Sequence, residues 1–298
     1  MKRVAAHGRG AASALLFAAA LVAAGPAAGE RFWPRAAQAP AVPGPSAGPA
    51  SAGRVALRLV DRGSHHEAWV DNGLPGPVQA QLRLHVGDNV RMVPAPPARA
   101  VVPAWGSAVV ARIYRSDPRR PASFDLALEH LPGDPAARPH DVVYRLPFEH
   151  GRVRVDQGYG GRFSHADAEN RHAVDFALPE GTPVLAAREG VVLDVEAGHS
   201  AGGPDYARYR DRANYVRILH PDGSMAAYAH LQAGGVLVRP GERVRAGQRI
   251  GLSGNTGYST APHLHFVVQV NRGMRLESVP FRMAGPAGEL KFPRTAAR

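Results

Sequence analysis

The stretch 251-GLSGNTGYSTAPHLHFVVQ-269 decides how the second half of the chain is read. A loop rich in Gly, Ser and Thr runs into His-Leu-His and then into an apolar run. On a β-strand, residues i and i+2 share a face. His263 and His265 therefore point one way, and Leu264, Phe266 and Val268 point the other. The apolar set reads as the buried side. Two imidazoles side by side on the opposite face suit metal binding or proton transfer, because imidazole titrates near neutrality and is a common metal ligand. Two unrelated surface histidines are the plain alternative, and the surrounding sequence decides between them.

Working outward, strand-like pieces recur: 173-AVDFAL-178, 190-GVVLDVEA-197, 214-NYVRIL-219 and 224-SMAAYAHL-231. Glycine-rich turns join them, and there is almost no helical periodicity. Asp175 shares a strand face with Ala173 and Ala177, opposite Val174 and Phe176. A carboxylate among apolar strand positions is costly unless it is paired or metal-bound. His230 falls near the end of its strand, on the face of Tyr228. Asp175, His230, His263 and His265 thus gather four metal-type side chains in one small β-domain. The polar segment 198-GHSAGGPDYARYRDRA-213 is long for a hairpin loop, and such loops often carry function.

The totals narrow the chemistry. With 298 residues, the chain is long enough for two domains. It has no cysteine, which excludes thiolate zinc sites, thiol nucleophiles, disulfides and a lipidated N-terminal Cys. Any metal must be held by His and carboxylates. The net charge of +11 suits an anionic partner such as a wall polymer or membrane surface. No RNA-binding or zinc-finger pattern is present, so nucleic acid is not expected.

The start of the chain reads as a secretory signal over 1–28. Lys2, Arg3 and Arg9 precede an apolar run from Ala14 to Ala24, and small residues follow. That run is too short for a stable membrane span, so none is expected after cleavage. The expected location is secreted, periplasmic or cell-envelope. An Ala/Pro/Gly-rich linker follows over 29–53. Residues 54–146 alternate short apolar-patterned pieces with Pro and Gly clusters, which predicts a β-sandwich. A second β-domain is expected over 147–285, with a tail over 286–298. Its pieces 181-GTPVLAAREGVV-192 and 240-PGERVRAGQRIG-251 resemble the paired hairpins of lipoyl carriers. Carriers need a lysine at an exposed turn, and this domain has none before Lys291.

The segments 175-DFALPEGTPVLAAREGVV-192, 226-AAYAHL-231 and 239-RPGERVRAGQRIGLSGNTGYSTAPHLHF-266, in that order, resemble the M23 peptidase family, the LytM/lysostaphin-type zinc endopeptidases of bacterial cell walls. The resemblance implies an all-β domain with a narrow groove and one Zn2+. It implies that Asp175 and His265 are ligands and that His230 and His263 are the catalytic histidines. The first zinc histidine departs from the usual His-x-x-x-Asp, because Arg171 stands four before Asp175. His165 and His172 are the candidates. An odd spacing puts His172 on the opposite strand face from Asp175, and His165 in its Gly/Ser-flanked turn is preferred. The expected function is hydrolysis of peptide cross-links in peptidoglycan. The competing reading is a non-catalytic LytM-like regulator that activates another wall hydrolase. A wall- or carbohydrate-binding module is a third. It would display exposed aromatic platforms, and aromatics make up only 7% of the chain.

Overall fold

The computed structural model describes residues 53–149 and 152–292. The leader and nearly all of the linker expected before residue 54 lie outside the described residues. Among the described residues, no helix is long and apolar enough to cross a membrane. The all-β expectation holds.

Seven strands come first: β1 (Val55–Asp61), β2 (His65–Asn72), β3 (Val78–Asp88), β4 (Val90–Val93), β5 (Ala98–Val102), β6 (Ser107–Arg115) and β7 (Ser123–Pro132). They form a four-stranded sheet ordered β1-β2-β6-β4 and a three-stranded sheet ordered β5-β3-β7. Alternation turns Ala68 and Val70 of β2 and Val78, Ala80 and Leu82 of β3 into one shared core.

The chain then continues through β8 (Val143–Tyr144), β9 (Val155–Gln157), β10 (Val174–Ala177), β11 (Pro183–Leu185), β12 (Gly190–Glu196) and β13 (Gly202–Gly203). The single helical turn α1 (Tyr206–Tyr209) precedes β14 (Asn214–Leu219), β15 (Met225–Val236), β16 (Arg243–Val244), β17 (Arg249–Ser253) and β18 (Gly257–Tyr258). Last come β19 (His263–Asn271), β20 (Leu276–Ser278), β21 (Arg282–Gly285) and β22 (Gly288–Glu289). The main path of the large sheet is antiparallel, β16-β12-β14-β15-β19-β10-β9. The two lipoyl-like pieces pair with one another, β11 with β17 and β12 with β16. One face of the sheet carries Val174, Phe176, Val216, Tyr228, Leu264 and Phe266 into an apolar core. Tyr144 and Phe148 join that core, and Leu290 and Phe292 pack against it.

The two regions share buried surface. Leu193, Met225 and Leu276 of the second are buried within the core of the first. A side chain at Gly76 would press within 2.8 Å of Leu193 and Leu219. Asn271 Nδ2 donates to Gly133 O at 3.1 Å, and Met274 N donates to Gln79 Oε1 at 2.8 Å. These contacts lie at the Leu219–Met225 end of β14 and β15. In register, His265 lies opposite Ala229, toward the other end.

A His-Pro-Asp-Gly hairpin turn reads as exposed, yet His220 is buried. Its Nδ1 donates to Glu189 O at 2.7 Å, and its ring meets Tyr144 edge-on. Beside it, Asp222 accepts from His140 N at 2.9 Å, from Arg188 at 2.7 Å and from Ser224 Oγ at 2.6 Å. Burial opposes the Asp222 charge, but these donors outweigh it and hold its pKa below the usual carboxylate range. Asp222→Ala is expected to cost about 3–5 kcal/mol, because it strands the Arg188 charge. A folded pKa below the unfolded one stabilises at higher pH. The contribution is full above about pH 5, begins to fall below about pH 4 and is lost only as pH passes the far lower folded pKa. Urea melts of both proteins at pH 7 and pH 3 check this, and the gap between them should narrow at pH 3 without closing.

Candidate metal centre

Strand pairing builds the site on the face opposite the apolar core. Asp175 on β10 lies opposite His265 on β19, which lies opposite Ala229 on β15. His263 faces Ala177 one pair along on the same side. Ala173, Ala227 and Val267 form a small apolar patch on this face. The alternation read from the sequence is thus what carries Asp175, His263 and His265 together.

His230 reaches the site by another route. Alternation would send it to the side of Tyr228, which is fully buried in the core with its hydroxyl accepting from Ala187 N. Instead, Tyr215 pairs with Ala229 and Asn214 with Leu231, so His230 is an extra residue, a β-bulge. Its φ of 63° is left-handed, a costly conformation outside glycine. The bulge turns the imidazole over to the His263 side, with ring centroids 4.5 Å apart. Two buried polar residues hold it there. Thr256 O accepts from His230 Nδ1 at 2.7 Å, and Thr256 Oγ1 donates to Leu231 O at 2.7 Å. Asn214 Nδ2 donates to Leu231 O and Gln232 O, each at 3.3 Å. Asn214 therefore supports the site through the bulge, whereas Tyr228 takes no part in it.

Of the two candidates for the remaining histidine, only His165 approaches Asp175. It is fully buried, with Nε2 3.2 Å from Asp175 Oδ1. His172 turns away, its Nδ1 donating to Ser278 O at 2.9 Å and its ring edge-on to Tyr159. His165, Asp175 and His265 offer ligand atoms all within 4.8 Å of one another, a group that could hold a metal ion.

The hydrogen bonds around this group fit a cation. His165 Nδ1 donates to Gly158 O at 2.9 Å, which leaves Nε2 as a lone pair in the neutral ring. His265 Nε2 donates to Asn170 Oδ1 at 3.2 Å, which leaves Nδ1 as a lone pair 2.9 Å from Asp175 Oδ1. Asn170 is buried and is fixed by donating Nδ2 to Asp167 Oδ1 at 3.1 Å. Two imidazole lone pairs and a carboxylate oxygen thus converge with no donor among them. Outer hydrogen bonds that fix each tautomer are characteristic support for metal-ligating histidines. Gln157 Nε2 holds the other Asp175 oxygen at 3.1 Å.

Charge follows the same pattern. Burial, reinforced by His263 and His265, pushes the His230 pKa well down. His230 is therefore neutral. His263 Nδ1 donates to Ala261 O at 2.8 Å, and its Nε2 lies 3.8 Å from Asp175 Oδ1. Both His230 and His263 keep Nδ1 engaged by a backbone carbonyl and line the same cleft as Asp175 and His265. None of the cleft-lining residues belongs to the first region. Asn170, Gln157 and Thr256 were not singled out in the sequence. Asn170 and Thr256 lie in loops, and Gln157 ends the three-residue β9, so none carries a periodic signal.

Comparison with known proteins places this cleft in context. Residues 169–276 match the model of peptidase family M23. The chain is 44% identical over 125 residues to the peptidoglycan DD-endopeptidase ShyA of Vibrio cholerae, covering 41% of this chain and 26% of that protein. It is 39% identical over 115 residues to the glycyl-glycine endopeptidase ALE-1 of Staphylococcus capitis, covering 38% of this chain and 28% of that protein. Among solved structures, a mutant catalytic domain of the prophage-encoded M23 protein EnpA from Enterococcus faecalis is 26% identical with a TM-score of 0.35. That match covers 45% of this chain and 92% of that one. The chain thus spans about a quarter of the length of those two curated relatives.

Proposed function

We propose, from the match of residues 169–276 to the model of peptidase family M23 and the likeness to LytM/lysostaphin-type proteins, that this chain is a secreted zinc endopeptidase that hydrolyses peptide cross-links of bacterial peptidoglycan. The observation that carries the proposal is the convergence of His165 Nε2, His265 Nδ1 and Asp175 Oδ1, three acceptors with no donor among them. Two imidazoles and one carboxylate with room for a further ligand are the donor set of a catalytic zinc site. Zinc held by His165, Asp175 and His265 would supply Lewis acidity toward the scissile carbonyl and toward water.

The chain's own residues supply the rest. His230 and His263 act as a pair at the cleft, each with Nδ1–H committed to a carbonyl and Nε2 open as a proton acceptor. One takes a proton from the attacking water at Nε2 and returns it to the leaving amine. The other, when protonated, donates to the developing oxyanion. Ser259 Oγ, 3.1 Å from His263 Nδ1, fixes the ring plane. The net charge of +11, which is 11 − 3 = +8 without Lys2, Arg3 and Arg9, favours association with anionic envelope polymers. We assign the first region a supporting role, because its core is completed by Leu193, Met225 and Leu276 and it stays clear of the cleft.

The test is digestion of isolated peptidoglycan by the purified chain, with released fragments read by mass spectrometry. New peptide ends should appear, vanish with a chelator and return with added Zn2+. Release of nothing by zinc-loaded protein would contradict the proposal and favour a non-catalytic regulator.

A further inference from the structure

Three aromatic side chains from three separate segments meet beside the cleft, and two of them, Phe163 and Tyr258, line it. Phe163 and Tyr258 stack with centroids 4.9 Å apart and planes 10° from parallel. Tyr206, on α1 in the long polar loop, stands edge-on to Tyr258 at 5.2 Å and 89°. Phe163 is 52% exposed and Tyr206 42%. Apart from Trp105, these two are the only aromatics among the large apolar side chains left exposed in the described residues. None of the three rings joins either hydrophobic core.

The wall is held in place and is continuous with the site. Phe163 N donates to Gln157 Oε1 at 3.2 Å, and Gln157 Nε2 donates both to Ser164 Oγ and to Asp175 Oδ2. One glutamine thus ties Phe163 to the metal-type cluster. Tyr258 is fixed by the parallel pairing of β18 with β13. Phe163 and Tyr258 line the same cleft as Asp175 and His265.

Exposed aromatic surface next to a cleft marks a place where a ligand is covered. Phe163 turns one ring face to Tyr258 and, half-exposed, leaves the rest open, and that preformed aromatic surface selects the ligand. A pyranose ring offers a face of C–H bonds that packs on an aromatic plane while its hydroxyls reach polar groups at the rim. Arg210, with its guanidinium 5.9 Å from the Tyr206 ring centre, and Thr260 at the cleft supply such a rim. An extended peptide of small residues has no comparable flat face. Three or four extended residues reach about 10–14 Å, enough for a peptide stem to carry a sugar beyond the scissile bond.

We propose that Phe163, Tyr258 and Tyr206 form a subsite for a saccharide ring of the glycan strand, so that the cross-link is read together with the sugar bearing its stem. This rests on the reading of the protein as a peptidoglycan endopeptidase. The test compares soluble cross-linked disaccharide-peptide dimers with the same dimers stripped of sugar. In the wild type, KM for the sugar-bearing dimer should be about ten-fold lower. Phe163→Ala and Tyr206→Ala should raise it so that the preference falls to one. Equal KM values in the wild type, or a preference that survives both substitutions, would overturn the subsite. A second readout is independent of hydrolysis. Titrating N-acetylglucosaminyl-N-acetylmuramic acid into the full chain should shift the Phe163 and Tyr206 ring NMR signals saturably, and Phe163→Ala should abolish the saturable shift at Tyr206. Absence of the shift overturns the subsite even if hydrolysis proceeds. Its presence without hydrolysis keeps the subsite and removes the endopeptidase reading.

Discussion

Asp175→Asn is expected to abolish both metal retention and hydrolysis. Asp175 Oδ1 is the one atom that both candidate ligand histidines approach, at 3.2 Å from His165 Nε2 and 2.9 Å from His265 Nδ1. An amide matches the carboxylate in shape, so β10 and its pairing should persist. The amide carries no charge and cannot serve as the anionic ligand. Bound zinc should fall from one per chain toward none. Hydrolysis should drop by at least about 10³-fold, the scale of removing a main electrostatic element of a catalytic site. Metal content by mass spectrometry of the native protein, set beside initial rates on peptidoglycan, reads both quantities. Full zinc occupancy in Asp175→Asn would show that the ion sits elsewhere.

His230→Ala and His263→Ala should separate chemistry from metal binding. Neither ring belongs to the three-residue group, so zinc should stay bound in both. Loss of a proton-transfer group costs about 10²–10⁴-fold in kcat. KM should change little, since neither ring anchors the substrate. His230→Ala carries one further consequence. The imidazole is what holds the left-handed bulge against Thr256 O. His230→Gly, which tolerates positive φ, should therefore be the more stable of the two substitutions at this position by about 1 kcal/mol. Thermal melts of the pair check that ordering. A double variant that is no slower than either single one would show that the two rings act as a unit.

Much of the site was legible because strand alternation is a strict geometric rule. His263 and His265 share a face on β19, Asp175 pairs directly opposite His265, and Leu264 and Phe266 enter the core. The odd spacing that sets His172 apart from Asp175 was legible for the same reason, and His165 alone of the two approaches Asp175. What was not legible depends on departures from regularity or on contacts distant in sequence. His230 breaks alternation through a single inserted residue at φ 63°, and 224-SMAAYAHL-231 carries no turn residue to announce it. His220 lies in a turn, yet it is buried because the segment around Tyr144 packs over that turn. Asn170, which fixes the tautomer of His265 from 95 residues away, is one polar residue among many in its loop. The long loop at 198–213 was expected to carry function, but its contribution, Tyr206, gains meaning only beside Tyr258 and Phe163.

The central claim is that His165, Asp175 and His265 hold a zinc ion. Anomalous diffraction at the zinc absorption edge, on crystals of the full chain grown with stoichiometric Zn2+, tests it most directly. The account predicts one strong peak per chain, bonded to His165 Nε2, His265 Nδ1 and an Asp175 oxygen at about 2.0–2.2 Å. A peak elsewhere, or no peak with the three side chains packed as they are here, would contradict it.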